Sequence, residues 1–467
     1  MSDQRSDAIV FFGASGDLAY KQIFPSLMRL VRDEGVTVPI VGVAKSGWSL
    51  EQLKNRAKDS LEHHGGADPE AFQGLANLLH YVDGDYNDPA TFTQLRQELG
   101  DAQRPLHYLA IPPSLFAVVT EGLAKSGCAT NARLVVEKPF GHNRATAREL
   151  SRVLHQYFPE ENIFRIDHYL GKEPVQNLLY TRFANPIFEP IWNRTHVRSI
   201  QITMAEEFGV QDRGKFYDET GAIRDVVQNH MLQVLANLTM DPPTGEDREA
   251  IRDQKVDLLK AVQPLKPDQV VRGQYAGYHQ VPGVKPGSTV ETFVALQLTI
   301  DTWRWADVPI YIRAGKELPV TASEVSVEFK RPPFEIFGEN VPCSSSHLRM
   351  RISPDITIGL GVRVKSPGER MVGNDVELIL SEHPEGEMPP YQRLLGDAFK
   401  ASGELFARED FVDAQWRVVE PILDDVTPLY KYECGTWGPE EVERLIGSDG
   451  PWINPKVSTK SKPKSKP

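Results

Sequence analysis

The stretch "AIVFFGASGDLA", residues 8–19, runs from a short apolar segment into a glycine turn. An apolar run that stops at a glycine is typical of a buried strand in a parallel sheet. Gly13, Gly16 and Ala19 follow the spacing G-x-x-G-x-x-A, and Ser15 stands where the commoner G-x-G-x-x-G pattern has its middle glycine. Such glycines let the backbone approach a ligand closely, and the amides of the following helix face a pyrophosphate. We therefore predict a dinucleotide site here rather than a plain strand-to-helix turn, with contacts from Gly13, Ala14, Ser15, Gly16, Asp17 and Leu18.

The strand-then-helix pattern repeats over the first third of the chain. Further apolar runs occur in "VPIVGVAK", "LHYVDGDY", "PLHYLAIPP", "RLVVEKPFG" and "NIFRIDHY", with helical spacing of apolar residues between them. Strands that alternate with helices predict βαβ units and a doubly wound parallel sheet. We expect this α/β, Rossmann-like domain to span residues 1–168.

The rhythm of the sequence changes after Tyr169. Alternating, strand-like segments follow, among them "VRSIQITMAEEFG", "ETFVALQLTID", "VPIYIRAG", "EVSVEFK" and "DVELIL", and helical stretches such as "IRDVVQNHMLQVLANLTM" interrupt them. This pattern predicts an α+β domain with a large, mainly antiparallel sheet over residues 169–455. The Lys/Ser/Pro segment 456–467 has almost no apolar residues, so we expect a disordered basic tail.

The end of the second predicted strand indicates which dinucleotide binds. The sequence there is "GVAKSGW", with Lys45 and Ser46 and no acidic residue. An NAD site usually places Asp or Glu at this point for the ribose hydroxyls, whereas a 2′-phosphate needs a cation. Lys45 therefore favours NADP as the cofactor; a plain surface lysine is the alternative, and NAD remains possible.

Composition and charge exclude several classes of protein. The 467 residues carry a net charge of −12 although the tail alone holds five lysines, and an acidic body argues against nucleic acid as a partner. The three cysteines lie far apart, which fits a reducing cytoplasm and no disulfide framework. We see no signal peptide and no apolar run long enough for a membrane span. The pair His63 and His64 has no third ligand placed by the sequence, so we expect no metal site.

A second short stretch concentrates groups that ionise or form hydrogen bonds. "RIDHYLGKE", residues 165–173, places Asp167, His168, Tyr169 and Lys172 directly after a predicted strand. A site for a phosphorylated, polyhydroxylated substrate needs such groups. The alternatives are a solvated loop and, for Asp167, an ordinary helix cap.

Taken together, these motifs resemble the glucose-6-phosphate dehydrogenase family. "GASGDLA", "EKPFG", "RIDHYLGKE", "GKFYDETGAIRDVVQNHMLQ", "VPIYIRAGK" and "CGTWGP" stand in the order and spacing of that family, from about residue 8 to residue 439. The resemblance implies oxidation of β-D-glucose 6-phosphate at C1 to 6-phosphogluconolactone, with hydride passing to NADP. This is the first step of the oxidative pentose phosphate pathway. The resemblance also implies a homodimer or homotetramer joined through the large sheet of the second domain.

The resemblance assigns the catalytic and phosphate-binding roles. His230 matches the family's base, and imidazole is suited to accepting a proton at neutral pH. Asp167 matches the carboxylate that orients this base and stabilises its charged form. His168, Tyr169 and Lys172 match the group that binds the substrate phosphate.

It also assigns contacts to the sugar and the cofactor. Glu206 and Asp225 match carboxylates that accept hydrogen bonds from sugar hydroxyls, and Lys316 matches a substrate-contacting lysine. Lys138 matches a lysine near both substrate and cofactor, and a cis peptide bond is expected before Pro139.

Some of these residues also have plainer interpretations. Without the resemblance, His230 would be taken as a core histidine on an apolar stripe. Asp225 precedes His230 by five residues, about 140° around a regular helix, so we do not pair the two side chains. Trp303 and Trp305 bracket Arg304 and are interpreted as packing residues.

Three positions depart from the usual family pattern. Gln22 stands where relatives have a basic residue that faces the active site, and Thr321 stands where many have arginine. Both changes suggest weaker substrate and phosphate binding. Ser353 replaces a glutamine beside a second nucleotide site, so a structural NADP site is not expected. A hexose or hexose-phosphate dehydrogenase with NAD use or looser phosphate dependence is therefore one alternative, and a non-catalytic dinucleotide-binding paralogue is another, against which Asp167 and His230 argue.

Overall fold

The structure is a computed structural model that describes residues 5–64, 66, 68–245, 248–339, 342, 346–381 and 388–456. Apart from Lys456, the segment expected to be a disordered tail lies outside the described residues. Within the described ranges, no helix has both the length and the apolar character needed to cross a membrane.

The described strands are β1 (Ala8–Phe12), β2 (Ile40–Ala44), β3 (Leu79–Asp83), β4 (Pro105–Leu109), β5 (Arg133–Glu137), β6 (Ile163–Ile166), β7 (Val197–Ala205), β8 (Val270–Tyr275), β9 (Phe293–Leu298), β10 (Ile310–Gly315), β11 (Ala322–Phe329), β12 (His347–Ser353), β13 (Thr357–Lys365), β14 (Gly373–Ser381) and β15 (Leu429–Tyr432). The α-helices are α1 (Phe24–Glu34), α2 (Leu50–His64), α3 (Pro69–Leu78), α4 (Pro89–Glu98), α5 (Phe116–Lys125), α6 (Arg144–His155), α7 (Glu173–Ala184), α8 (Gly214–Ala222), α9 (Leu232–Thr239), α10 (Arg248–Ala261), α11 (Pro390–Phe399), α12 (Glu409–Val419) and α13 (Glu443–Ile446).

Strands β1 to β6 form a parallel six-stranded sheet in the order β3-β2-β1-β4-β5-β6. β1 is buried along its whole length, which explains its continuous apolar sequence. The strand order reverses between β1 and β4, and open α/β sheets bind ligands in the crevice at such a point. The predicted doubly wound parallel sheet is confirmed.

The later strands form a nine-stranded sheet in the order β14-β13-β12-β11-β7-β10-β9-β8-β15. The pairs β7–β10 and β8–β15 are parallel, and the other neighbouring pairs are antiparallel. The predicted α+β architecture with a mainly antiparallel sheet is therefore also confirmed. The parallel pair β7–β10 matters for the site, because it brings the residues after Ala205 and Gly315 to the same edge.

The chain divides into two compact units. The first comprises Met1–Glu173, Pro243–Asp253 and Gly386–Asp413, and the second comprises Pro174–Pro242, Gln254–Glu385 and Ala414–Pro467. The first unit thus includes segments beyond the residues 1–168 expected from the sequence. The reason is packing: α11 adds Leu394, Leu395 and Ala398 to the buried cluster that contains α1 and β1 residues. Periodicity shows that α11 has an apolar face, but it does not indicate which core that face joins.

Two segments have π-helical, i→i+5 hydrogen bonding instead of regular α-helix. They are Ala19–Ile23, just before α1, and Ile223–Met231, between α8 and α9. Single turns of this kind occur frequently at functional sites. Both lie in stretches that the sequence predicts as plain helix, so the local geometry differs from that expectation.

The interpretation of the two tryptophans as packing residues is right for Trp305 and wrong for Trp303. Trp305 is buried and donates from Nε1 to the carbonyl oxygen of Thr239 at 2.6 Å. Trp303 is 96% exposed. The two residues lie in a turn before β10 and not in a strand, so their spacing does not place them on one buried face.

Candidate active site

The glycine turn after β1 is built so that only glycine fits its first position. Gly13 has a φ of +79°, and a Cβ there would lie 2.3 Å from the carbonyl oxygen of Ala110, after β4. Its amide donates to the carbonyl oxygen of Val43 and to the Tyr86 hydroxyl, both at 2.9 Å. Gly16 and Asp17 are exposed where the helix begins, the position at which helix amides suit a pyrophosphate. The geometry of the turn fits the predicted dinucleotide.

Lys45, in the turn after β2, has acidic neighbours that the sequence did not indicate. Lys45 Nζ donates to Asp85 Oδ2 at 2.6 Å. Asp83 accepts hydrogen bonds from the amides of Ser46, at 3.0 Å, and Gly47, at 2.8 Å. Both acids follow or end β3, which pairs with β2 in parallel register, so they reach the turn from the neighbouring strand.

Asp167, directly after β6, is 2% exposed. Its Oδ1 accepts a hydrogen bond from the amide of Tyr169 at 3.0 Å, and its carbonyl oxygen accepts from the amide of Leu170 at 2.9 Å. The carboxylate therefore holds a tight turn in the first unit, and this contact is not a helix cap, because the next helix begins only at Glu173. The same turn presents the neighbouring side chains of the motif.

His168, Tyr169 and Lys172 lie together in this turn. Lys172 Nζ lies 3.9 Å from the centre of the buried Tyr169 ring, a cation–π contact that positions the ammonium. The His168 imidazole meets the Tyr169 ring edge-on, with ring centres 5.3 Å apart, and stacks on Tyr391 with an interplanar angle of 8°. Two potential cations are thus held by aromatic rings in one short segment.

A half-buried carboxyl, Glu137, lies in the same unit at the end of β5. Glu137 accepts hydrogen bonds from the hydroxyls of Tyr108 and Tyr391. Burial raises the pKa of Glu137 to about 7, and the nearby Asp167 carboxylate adds to the rise. The next peptide bond, Lys138-Pro139, is cis, as the resemblance implies.

In the second unit, Glu206 and Lys316 form an ion pair with Nζ and Oε2 2.6 Å apart. They follow the parallel strands β7 and β10, whose last residues Ala205 and Gly315 are in register. The Lys316 ammonium also lies 5.2 Å from the ring centre of Phe208 and 5.3 Å from that of Tyr217. The structure therefore brings these two predicted substrate contacts together.

The second π-helical segment contains Asp225 and His230. In i→i+5 hydrogen bonding, residues five apart lie nearly one above the other, unlike in a regular α-helix. The expectation that the two side chains point to different faces assumed 3.6 residues per turn, and this segment does not have that geometry. His230 is 1% exposed, and its amide donates to Asn229 Oδ1 at 2.6 Å.

The start of this segment is fixed by Glu291. Gly221 has a φ of +67° and breaks the helix just before the π-helical residues. Glu291 Oε1 accepts a hydrogen bond from the amide of Ile223 at 3.0 Å, and a Cβ on Gly221 would lie 2.5 Å from that oxygen. Burial raises the pKa of the Glu291 carboxyl.

The positions that depart from the family pattern have different surroundings. Gln22 lies in the first π-helical segment, and both it and Lys21 are exposed. The Thr321 hydroxyl accepts a hydrogen bond from the amide of Glu207 at 3.0 Å, so it ties the loop that follows Glu206.

Sequence reasoning missed several residues that support the predicted ones. Tyr391 stacks on His168. Tyr108 donates to Glu137, the residue before Lys138, and Glu291 fixes the start of the segment that contains His230. These three residues come from distant points of the chain, and no local pattern marks them. Asp83 and Asp85 were within the quoted run "LHYVDGDY", and the pairing of β2 with β3 could have drawn attention to them.

Models of two protein domains match almost the whole chain. The NAD binding domain of glucose-6-phosphate dehydrogenase matches residues 10–177, and the C-terminal domain of glucose-6-phosphate dehydrogenase matches residues 179–453.

Individual relatives agree with these matches. "Glucose-6-phosphate 1-dehydrogenase 1" of Mycobacterium bovis is 44% identical and covers 96% of this chain and 97% of its own. A relative from Aggregatibacter actinomycetemcomitans, "Glucose-6-phosphate 1-dehydrogenase", is 40% identical and covers 97% and 98%.

Solved structures share the fold at comparable coverage. The crystal structure of glucose-6-phosphate 1-dehydrogenase from Mycobacterium avium superposes with a TM-score of 0.91 at 43% identity and covers 97% of this chain and 99% of its own. A glucose-6-phosphate dehydrogenase in complex with its substrate glucose-6-phosphate has a TM-score of 0.89 at 34% identity and covers 97% of this chain and all of its own. Since both domain models and these relatives match over nearly the full length, the chain belongs to the glucose-6-phosphate dehydrogenase family of oxidoreductases.

Proposed function

We propose that this chain oxidises β-D-glucose 6-phosphate at C1 to 6-phosphogluconolactone, with NADP as the hydride acceptor. The observation that carries the proposal is the relative solved with glucose 6-phosphate, which overlaps 97% of this chain at 34% identity. The reaction would make it the first enzyme of the oxidative pentose phosphate route, and we expect it in the cytoplasm.

His230 is proposed as the base that accepts the proton of the C1 hydroxyl. A neutral imidazole is suited to this task at neutral pH, and its burial keeps it away from bulk water. Asp167 is proposed as the carboxylate that orients the ring and stabilises the imidazolium, as in other acid–base dyads. When bound, the nicotinamide supplies the acceptor for the hydride that leaves C1.

His168, Tyr169 and Lys172 are proposed to bind the substrate phosphate. The cation–π contact of Lys172 holds its ammonium in place before the substrate arrives, which lowers the entropy lost on binding. Charged donors of this kind form strong hydrogen bonds with phosphate oxygens.

Carboxylates and lysines are proposed to hold the sugar. Glu206 and Asp225 would accept hydrogen bonds from its hydroxyls, while Lys316 and Lys138 would donate to its oxygens. The Glu206–Lys316 ion pair supports this proposal because each partner fixes the other in a single orientation.

NADP is proposed as the preferred cofactor, with Gly13, Ala14, Ser15, Gly16, Asp17 and Leu18 along the pyrophosphate and Lys45 at the 2′-phosphate. The exposure of Gly16 and Asp17 at the start of the helix supports the first part, because amides at a helix start suit a pyrophosphate. Lys138 is proposed to lie near the nicotinamide.

A second copy of the chain is proposed to cover the outer face of β13 and β14. Val362 lies opposite Val376, and Leu360 lies opposite Leu378, so these side chains share one face of the antiparallel pair. Leu378 is 59% exposed. A contiguous exposed apolar face of this kind marks an interaction surface, and this supports a homodimer or a homotetramer built from dimers.

An enzyme with NAD use or looser phosphate dependence is the second candidate. The Lys45–Asp85 ion pair favours it, because the cation expected at the 2′-phosphate already has a partner. Rates measured by the ultraviolet absorbance of the reduced cofactor distinguish the two, with glucose 6-phosphate and glucose each tested with NADP and NAD. We expect glucose 6-phosphate with NADP to give the highest kcat/KM; a higher value with NAD or with glucose would favour the second candidate.

A further inference from the structure

Two acidic residues at the end of β3 and just after it accept hydrogen bonds from the turn that follows β2. We call residues 45–48 the KSGW turn. Asp83 accepts the amides of Ser46 and Gly47, and Asp85 accepts the Lys45 ammonium. Asp83 is the last residue of β3 and Asp85 follows it, whereas the donors come from the residues after β2.

Asp85 is held rigidly in this arrangement. Its Oδ1 accepts from both the amide and the side-chain nitrogen of Asn87, each at 2.9 Å, while Oδ2 accepts from Lys45. The amide of Gly84 donates to the carbonyl oxygen of Ala44 at 3.0 Å, which ties the loop of Asp85 to the end of β2. Both carboxylate oxygens of Asp85 therefore have partners within or beside the turn. In agreement with this, Lys45 and the Asn87 donors hold the pKa of the Asp85 carboxyl well below its usual range.

The position of Lys45 and Asp85 in the fold determines which cofactor their charges favour. In doubly wound dinucleotide-binding folds, the end of the second strand meets the 2′ position of the adenosine ribose. A carboxylate at this point accepts a hydrogen bond from the 2′-hydroxyl of NAD, and a cation attracts the 2′-phosphate of NADP. The KSGW turn presents one group of each kind, 2.6 Å apart.

We propose that Asp85 is a cofactor-selectivity residue that opposes Lys45: it lowers the affinity for a 2′-phosphate and favours a 2′-hydroxyl. A 2′-phosphate that approaches Lys45 must share this ammonium with a carboxylate of like sign to itself. A 2′-hydroxyl meets no such repulsion and gains an acceptor. The chain therefore discriminates less between NADP and NAD than Lys45 alone would allow. This inference rests on the proposed use of a nicotinamide dinucleotide at this turn.

The test compares Asp85→Asn with wild type by calorimetric binding of 2′,5′-ADP and of 5′-AMP, which represent the two adenosine ends. Asparagine keeps the size of the side chain and can still accept from Asn87, but it removes the charge. We expect Asp85→Asn to raise the ratio of the two affinities in favour of 2′,5′-ADP by about threefold to tenfold, since removing one close like charge has an effect of this order. The ratio of KM for NAD to KM for NADP should rise in parallel.

A matched control shows whether the effect depends on the position of the removed charge or only on the net charge of the protein. Asp101→Asn removes the same charge from an exposed residue that precedes β4, at the opposite end of the sheet from the KSGW turn, and should leave the ratio unchanged. In a Lys45→Ala background, Asp85→Asn should still raise the ratio, because the carboxylate repels a 2′-phosphate whether or not the ammonium is present. A ratio that Asp85→Asn leaves unaltered, or alters no more than Asp101→Asn does, would overturn the inference.

The failure of the proposed function would give a different result. In that case wild type would not oxidise glucose 6-phosphate with either cofactor, whatever the binding ratio. An active wild type with an unaltered ratio in Asp85→Asn would refute only the role of Asp85.

Discussion

At the scale of single residues, His230 is the position on which the chemistry depends most. Asparagine has a similar volume and polarity but cannot accept a proton at neutral pH. We expect His230→Asn to lower kcat by about a hundredfold or more, the usual contribution of a general base, and to change the affinity for glucose 6-phosphate much less.

A second buried histidine provides the control for this substitution. His107, in β4, is fully buried and hydrogen-bonded to the carbonyl oxygen of Cys128, and burial lowers its pKa to about 4. His107→Asn should lower the melting temperature but leave kcat within a few-fold of wild type. If His230→Asn retained more than half of the wild-type kcat, His230 would return to its plain interpretation as a core histidine.

Glu137 predicts a pH dependence of stability. Its pKa in the folded state, about 7, lies above that of an ordinary glutamic acid, so folding favours the protonated carboxyl. Its contribution to stability is therefore complete below about pH 4.5 and is lost as the pH rises through about 7. Glu137→Gln should remove this loss, which amounts to at most about 1.4 kcal/mol per pH unit within that window.

Thermal unfolding between about pH 5 and about pH 8 measures the effect. Relative to Glu137→Gln, wild type should lose stability steadily over this range. The exposed Glu121 provides a control, since Glu121→Gln should follow the wild-type curve. Parallel curves for wild type and Glu137→Gln would show that the carboxyl titrates normally.

At the scale of elements, the helix break at Gly221 positions the segment with Asp225 and His230. Alanine at this position would adopt an unfavourable positive φ, and its Cβ would collide with the Glu291 carboxylate that accepts from Ile223. Gly221 combines this φ with a ψ of 175°, a conformation essentially restricted to glycine, so the backbone term alone is about 1–3 kcal/mol. We expect Gly221→Ala to lower both the melting temperature and kcat.

The substitution Gly277→Ala separates the cost of a positive φ from the cost of the collision with Glu291. Gly277 also has a positive φ, of +94°, but the nearest atom to its Cβ position is 4.0 Å away. Gly277→Ala should therefore cost only the backbone term and leave kcat intact. Equal losses of activity in the two variants would contradict the positioning role of the Gly221 break.

Comparing elements also shows what the sequence can and cannot predict. Apolar runs predict β1 to β6 correctly, and the signal is clearest for β1, β2 and β4, which are buried along their whole lengths and therefore need such residues. The π-helical segment Ile223–Met231 could not be predicted, since its apolar residues fit a regular helix equally well. The influence of Asp85 on Lys45 was missed for a similar reason: strand pairing creates it, and the two residues lie far apart in sequence.

At the scale of the whole molecule, the apolar face of β13 and β14 predicts self-association. Leu378→Asp would place a charge in the middle of this face, and a charge without a partner is costly to bury. We expect light scattering after gel filtration to show an oligomer for wild type and a monomer for Leu378→Asp.

The exposed Trp303 is a suitable control for this prediction. It is a large apolar side chain in the same unit, but it lies in a turn and not on the β13–β14 face. Trp303→Asp should leave the oligomeric state unchanged. An unaltered oligomer in Leu378→Asp would place the interface elsewhere.

The central claim is that hydride leaves C1 of glucose 6-phosphate and passes to the nicotinamide. Mass spectrometry of NADPH formed from glucose 6-phosphate deuterated at C1 tests this claim most directly. We predict that the NADPH contains the deuterium and that His230→Asn forms it much more slowly. NADPH without deuterium, or no NADPH at all from glucose 6-phosphate, would contradict the account.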